Sequence, residues 1–173
     1  MIPISIQRTA NAVDIIDEDD LANSASLNIS DLLRNISGLA VSQTGAPGSQ
    51  TQVRVRGSEA NHLLVIIDGI EANNPGQNDE FTWGTLSPNN IERIEIIKGP
   101  QSTMHGSDAL AGVINIITKT PKNPSEISAF LDYGNFQTVN RGMSFGSRKE
   151  RGSYQAGISN LTSDGENIAR QGR

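Results

Sequence analysis

The sequence IERIEIIKGPQSTMHGSDALAGVINIITK, residues 91–119, contains two strand patterns joined by a glycine-rich connection, and it decides the fold of this chain. Its first part, IERIEIIKG at 91–99, predicts a strand, and VINIITK at 113–119 predicts another. Between them, Pro100 is well placed to open a short helix that Gly106 closes. The stretch therefore predicts a strand, a short helix and a second strand in that order.

Upstream of this stretch the sequence predicts further helices and strands. Acidic residues 17–20 favour a helix start, because carboxylates complement the exposed N–H groups of a first turn. Apolar residues at helical spacing predict a helix over 29–38, capped by Ser30 and closed by Gly38. VRVRG and LLVIIDG predict two strands at 53–57 and 63–69, the second buried on both faces.

Downstream, the linker TPKNP at 120–124 marks a change of pattern, because two prolines break any regular element. Three segments with alternating apolar residues follow and predict three strands, at 127–134, 138–147 and 153–159. Their length suits membrane-spanning β-strands, and a soluble meander with one wet face fits the periodicity equally well. We place the domain boundary between residues 122 and 123, which gives domains 1–122 and 123–173.

Composition excludes several classes of function. The net charge is −5 and the pI is about 5.0, so a nucleic-acid partner is not expected. The chain has no cysteine, and its two histidines, His62 and His105, are too few and too far apart for a metal site. No nucleophile elbow, phosphate-binding loop or zinc-protease motif is present. We therefore expect no enzyme, no catalytic residue, no metal and no cofactor.

Charged residues lie inside segments that otherwise predict core strands. In residues 91–99, Glu92 shares one face with Ile94 and Ile96, while Arg93 and Glu95 share the other with Ile97. Burying unpaired charge is costly, so such groups are normally paired or hydrated. Either one face of a sheet is wet, or it meets a second polar wall.

Taken together, DLLRNISGLAV (31–41), VRVRGSEANHLLVIIDGIEANNP (53–75) and the stretch 91–119 resemble the plug domain of TonB-dependent outer-membrane receptors. The resemblance covers roughly residues 10–122, and residues 126–162 more weakly resemble the start of the barrel. The segment around GAPGSQTQVRVRGSEANHLLVIIDG is most similar to cobalamin receptors, and siderophore receptors share much of it.

The resemblance implies an α+β fold: a small mixed β-sheet plug with short helices, followed by about three antiparallel strands of an incomplete barrel. It implies apical loops at 45–52 and 71–78 that help to bind a scarce, bulky ligand, either cobalamin or a ferric siderophore. The residues implied to face the ligand are Gly48, Ser49, Gln50, Asn73, Asn74 and Gln77. Those implied to contact the barrel wall are Arg56, Arg93 and Glu95.

The same resemblance implies the partners and the location. The TonB energy-coupling protein would pull on an N-terminal box, and outer-membrane lipid would surround the complete barrel. The plug would sit in the barrel lumen of a Gram-negative outer membrane and face the periplasm.

No signal peptide is apparent, nothing before Ile6 is recognisable as the coupling box, and most of the barrel is missing. We expect a fragment that does not transport alone. The alternative is a free-standing soluble periplasmic plug that binds a ligand or a protein; a signalling receptor, which would need an N-terminal extension, is a weaker option.

Overall fold

The computed structural model describes residues 12–24, 28–45, 49–150 and 152–164. The chain is divided into two compact units, an N-terminal unit (Met1–Thr118) and a C-terminal unit (Lys119–Arg173). The division falls at the start of the proline-containing linker in which the sequence predicts a boundary.

A five-stranded mixed sheet organises the N-terminal unit, in the order β1-β6-β7-β4-β5, and β4 and β7 are its parallel pair. A separate antiparallel hairpin is formed by β2 and β3. The strands are β1 (Ala12–Ile16), β2 (Leu39–Gln43), β3 (Thr51–Val55), β4 (Leu63–Ile67), β5 (Ile70–Glu71), β6 (Ile91–Lys98) and β7 (Gly112–Thr118), and the helices are α1 (Glu18–Asn23), α2 (Ile29–Leu33) and α3 (Ser102–His105). This architecture confirms the predicted mixed sheet with short helices.

Isoleucines of the two central strands make the core. Ile94 and Ile96 of β6 pair with Ile116 and Ile114 of β7, and all four side chains are fully buried. Each such burial contributes about 1.5–3 kcal/mol to folding before the loss of chain entropy is counted. On the opposite face of the sheet, Leu64 packs in a smaller cluster with Ala109, from the connection between α3 and β7, and with Val113 of β7. Strand β4 is therefore covered on both faces, as predicted.

The helix predicted over residues 29–38 is shorter than its periodicity indicates. It begins at Ile29 with Asn28 as the N-cap residue, and Ser30, predicted to be the cap, is a buried residue inside it. The chain leaves the helix after Leu33 and reaches Gly38, which has a left-handed φ of 84°. The helix ends early because residues 39–43, which the sequence analysis did not identify as a strand, pair with β3.

A β-bulge at the start of β6 changes which residues face the core. The register with β7 shifts between Ile91 and Arg93, so Ile91 is fully buried although it lies three positions before Ile94. Glu92 consequently lies beside Arg93 and forms an ion pair with it. The prediction that Glu92 shares a face with the buried isoleucines is wrong, because simple alternation does not include the extra residue of a bulge.

The turn after β4 ties two strands together. Asp68 and Gly69 both adopt left-handed φ values, of 48° and 84°. The Asp68 carboxylate accepts hydrogen bonds from the backbone N–H of Thr118 at 2.9 Å and from its hydroxyl at 2.7 Å. The turn therefore anchors the end of β7 as well as the end of β4.

The C-terminal unit is an antiparallel three-stranded sheet of β8 (Glu126–Gly134), β9 (Thr138–Lys149) and β10 (Gly152–Thr162), in the order β10-β9-β8. This confirms the three predicted strands. The cross-strand register places most of the large apolar residues on one face, where Arg141 interrupts them: Ile127, Leu131, Tyr133, Met143, Phe145, Tyr154 and Ile158.

On the opposite face of this sheet, the Phe130 ring covers Gly142, so closely that a Cβ built on that glycine would lie 2.6 Å from a ring carbon.

Within the described parts of the chain, no helix has the length and apolar character needed to span a bilayer.

Candidate functional site

The hairpin turn between β2 and β3 is the first of the two predicted apical loops. The Thr44 backbone N–H and hydroxyl both donate to the carbonyl oxygen of Gln50, at 3.1 Å and 3.3 Å, and close the turn. Ser49 is half-buried and Gln50 is exposed. The third predicted ligand-facing residue of this loop, Gly48, lies outside the described residues.

The second predicted apical loop, residues 71–78, is held in place by turns that continue to Glu80. Asn74 and Glu80 form an antiparallel bridge, and the Asn74 side chain accepts a hydrogen bond from the Gly76 N–H at 2.9 Å. Asn78 and Asp79 adopt left-handed φ values of 57° and 56°, which turn the chain back. Of the two alternatives for a long polar segment, a functional loop or disorder, these residues adopt the ordered one.

Asn73, predicted to face the ligand, hydrogen-bonds to the backbone with both ends of its side-chain amide. Its Oδ1 accepts from the Val65 N–H at 2.8 Å, and its Nδ2 donates to the carbonyls of Leu63 at 3.0 Å and Asp79 at 2.6 Å. The amide thus extends the hydrogen-bonding edge of β4 beyond the two-residue β5. In this arrangement Asn73 holds the second loop against β4.

The other two predicted ligand-facing residues of this loop, Asn74 and Gln77, are exposed at its tip. The Gln77 side-chain oxygen accepts a hydrogen bond from the Thr82 hydroxyl at 2.7 Å. In both side chains the amide oxygen accepts a hydrogen bond, and the amide nitrogen is a donor group that suits a polar ligand.

A polar contact that the sequence analysis did not identify joins the two apical loops. The Gln52 side-chain nitrogen donates to both carboxylate oxygens of Glu80, at 2.8 Å and 3.1 Å. The Gln52 side-chain oxygen accepts from Arg54 at 2.7 Å. Residues 52 and 80 are far apart in sequence, and no local pattern indicates that they meet.

Arg93 and Glu95, predicted to contact a barrel wall, form one charged cluster on the face of β6 that turns away from the buried isoleucines. Arg93 Nε lies 2.9 Å from Glu95 Oε1, and Arg93 Nη1 lies 2.8 Å from Glu92 Oε1. Asn115 on β7 donates to the other Glu95 oxygen at 3.0 Å. Two carboxylates around one guanidinium leave the cluster with a surplus negative charge.

The electrostatics of this cluster keep Arg93 charged. The hydrogen bond to Glu95 raises the pKa of the Arg93 guanidinium above its ordinary value. The charges of Glu95 and Glu92 raise it further, against the opposing effect of burial. Arg93 is therefore protonated at any physiological pH, and the cluster offers a fixed pattern of charge to a facing surface.

Arg56, the third predicted wall-contact residue, lies elsewhere. It follows β3 in a left-handed conformation with φ of 51°, its side chain is exposed, and its backbone N–H donates to the Gly38 carbonyl at 2.8 Å. Within the described parts of the chain, no hydrogen bond or ion pair joins its side chain to Arg93 or Glu95.

A buried cation, Lys98, also escaped the sequence analysis, which treated it only as the end of a strand. Its ammonium donates to the Ser37 carbonyl at 2.8 Å and forms an ion pair with Asp14 of β1. Lys98 thereby connects the first strand, the turn before β2 and the end of β6.

Solved structures similar to this chain include receptors and a transporter. A variant of the ferric enterobactin receptor of Pseudomonas aeruginosa, with enterobactin bound, is 26% identical, has a TM-score of 0.61, and aligns over 90% of this chain and 26% of its own. The pyoverdine outer membrane receptor FpvA of P. aeruginosa, bound to pyoverdine, is 21% identical with a TM-score of 0.72, covering 90% and 22%. The copper transporter OprC is 22% identical with a TM-score of 0.68, covering 88% and 24%.

The present chain spans about a quarter of the length of these proteins. The model of the TonB-dependent receptor plug domain matches residues 5–113, which is more than half of the chain and includes both apical loops and the charged cluster. The plug resemblance of the sequence is thus confirmed, and this chain belongs to the TonB-dependent receptor plug domain family.

Proposed function

We propose that this chain is the plug, with the first barrel strands, of a TonB-dependent outer-membrane active transporter that gates the uptake of a scarce, bulky ligand. The observation that carries the proposal is the order of the two units. A plug-family unit is followed directly by three antiparallel strands that collect their large apolar residues on one face. Strands of a membrane-spanning barrel have this alternation, with the apolar face toward lipid.

The ligand that we propose is a ferric siderophore, with cobalamin as the other candidate. The 26% identical receptor that binds enterobactin supports the first, and the sequence similarity around residues 45–69 supports the second. The ligand would meet Gly48, Ser49 and Gln50 of the hairpin turn, and Asn74 and Gln77 of the second loop. Asn73 was predicted to join them, and its contacts favour a role in holding the second loop.

The remaining proposals follow from family membership and from charge. Arg56, Arg93 and Glu95 would pair with charges on the barrel wall, since exposed charges on a plug enclosed by a barrel need partners or water. The TonB energy-coupling protein would act from the periplasm on an N-terminal box of the complete receptor. The complete barrel would lie in the outer membrane of a Gram-negative cell, in contact with lipid.

Trp83 provides a direct test of ligand binding. It is the only tryptophan of the chain and is 3% exposed. It lies close to the second apical loop in the sequence and makes an edge-to-face contact with Phe81, with the ring centroids 4.8 Å apart. Titration with ferric enterobactin or with cyanocobalamin should change its emission saturably for one ligand only. N-acetyltryptophanamide controls for light absorption by the ligand, and a lack of response to both ligands would contradict binding by the plug.

The second candidate is a soluble periplasmic module that binds a ligand or a protein. The separate buried core of the N-terminal unit favours it, because such a unit has what a free-standing domain needs. This candidate predicts a monomer in size-exclusion chromatography without detergent. Association through the apolar face of β8–β10 would count against it.

A further inference from the structure

The three side chains that join the apical loops form a continuous chain from a cation to an anion. Arg54 donates to the Gln52 oxygen at 2.7 Å, and the Gln52 nitrogen donates to both oxygens of Glu80 at 2.8 Å and 3.1 Å. A neutral amide placed between a guanidinium and a carboxylate is polarised by both, and hydrogen bonds to charged groups are stronger than neutral ones. All three side chains are half-buried, which limits competition from water.

The Gln52–Glu80 contact is tied to both apical loops. Gln52 lies on β3, two residues after Gln50, whose carbonyl closes the hairpin turn. Glu80 lies two residues after the second loop, and its carbonyl accepts the N–H of Asn74, within that loop, at 3.1 Å. A displacement of either loop therefore moves one end of the Gln52–Glu80 contact.

The contact also shares a small cleft with the aromatic pair Phe81 and Trp83. Glu80 is followed directly by Phe81, and Gln52, Glu80, Phe81 and Trp83 all line this cleft. A change in the separation of the loops should consequently reach the buried indole.

We propose that Gln52 and Glu80 are positioning residues: their contact fixes the separation of the two apical loops and makes a ligand bound to one loop shift the other. They hold the loops without touching the ligand. The fixed separation stands on the geometry of this chain, and its use in ligand capture rests on the proposed function.

Hydrogen exchange of the ligand-free chain tests the structural part. Gln52→Met should raise the exchange rate of the Asn74 amide, in the opposite loop, by about ten- to hundredfold, the factor expected for loss of a hydrogen bond to a charged group. Glu80→Met should raise exchange of the Thr44 amide in the hairpin by a similar factor. Glu80→Gln keeps an acceptor for Gln52 and should change both rates much less.

The matched control is Gln43→Met, which removes another arginine–glutamine contact, with Arg34 at 3.3 Å, from the same hairpin. It should leave Asn74 exchange unchanged. The proposal is overturned if Gln52→Met also leaves Asn74 exchange unchanged, or if Gln43→Met raises it equally, since general loosening of the hairpin would then explain the result.

Ligand titration then tests the use of the contact. Gln52→Met should weaken binding of whichever ligand changes Trp83 emission by about tenfold or more. Unchanged affinity in a variant with raised exchange would overturn the role in capture. If the unmodified chain binds neither ligand, the proposed binding of ligand by the plug alone fails, while the exchange experiment still decides the structural part.

Discussion

Replacing each partner of the Lys98–Asp14 ion pair should have unequal effects on stability. The Lys98 side chain is 9% exposed, whereas that of Asp14 is 38% exposed. Asp14→Ala leaves a buried ammonium with the Ser37 carbonyl as its remaining partner among the described residues. Removing one partner of a buried pair costs about 3–5 kcal/mol, and we expect about 3 kcal/mol here because the pair is only partly buried.

Lys98→Met should cost less, about 1–2 kcal/mol. Methionine fills the volume of the lysine stem. Asp14 Oδ2 is buried against Lys98, but the Asp14 side chain as a whole is 38% exposed and can turn toward water once the ammonium is gone. The loss is therefore mainly the ion pair and the hydrogen bond to the Ser37 carbonyl. The double variant should be about as stable as Lys98→Met alone, because no buried charge is left without its partner.

Urea unfolding followed by emission of the single tryptophan measures these differences in the N-terminal unit, to which Trp83 belongs. Equal destabilisation by Lys98→Met and Asp14→Ala, or additive effects in the double variant, would show that the unpaired buried ammonium is not the cause of the larger loss.

Three further substitutions test the fold and the loops. Gly112→Ala should cost about 2–4 kcal/mol in urea unfolding, because its Cβ would overlap the Ile97 carbonyl oxygen on the paired strand, and an unchanged unfolding midpoint would contradict this close approach. Asn73→Leu should cost about 2–4 kcal/mol and expose the amide of β4 that it protects to hydrogen exchange, since it leaves buried backbone groups unpaired; normal protection there would show that the amide is not needed. Asp68→Ala should cost about 1–3 kcal/mol and speed exchange at the end of β7, and unchanged exchange would contradict the anchoring role of its carboxylate.

Sequence periodicity predicts the strands well because their side chains alternate over several residues. The isoleucines at 94, 96, 114 and 116 occupy the core faces that their spacing indicates. Alternation fails at Ile91 and Glu92, where a bulge adds one residue. The helical spacing of apolar residues likewise fails to locate the end of α2. That spacing would extend the helix to residue 38, but residues 39–43 pair with β3 and the helix ends earlier.

The candidate site was less predictable than the fold, because its key contacts join residues that are distant in sequence. Gln52 and Glu80 look like ordinary polar residues of a strand and a loop, and only the fold brings them together. Asn73 lies in a polar segment whose sequence predicts an exposed loop. Its role in extending the edge of β4 depends on the two-residue strand β5, which no sequence pattern predicts. In the sequence Lys98 is only the end of a predicted strand, and its ion pair becomes evident when β1 is placed beside β6.

Gly142 has a consequence for the assembly of the C-terminal sheet. If β8 and β9 shifted by one residue relative to each other, apolar and polar faces would be exchanged, and the pattern of alternation opposes such an error. A shift by two residues preserves both faces, so alternation cannot detect it. Such a shift would move the Phe130 ring from Gly142 onto Asn140 or Ser144, whose side chains fill the space that the glycine leaves open. The absence of a side chain at Gly142 thus selects the observed register of β8 and β9 over the two registers that are shifted by two residues.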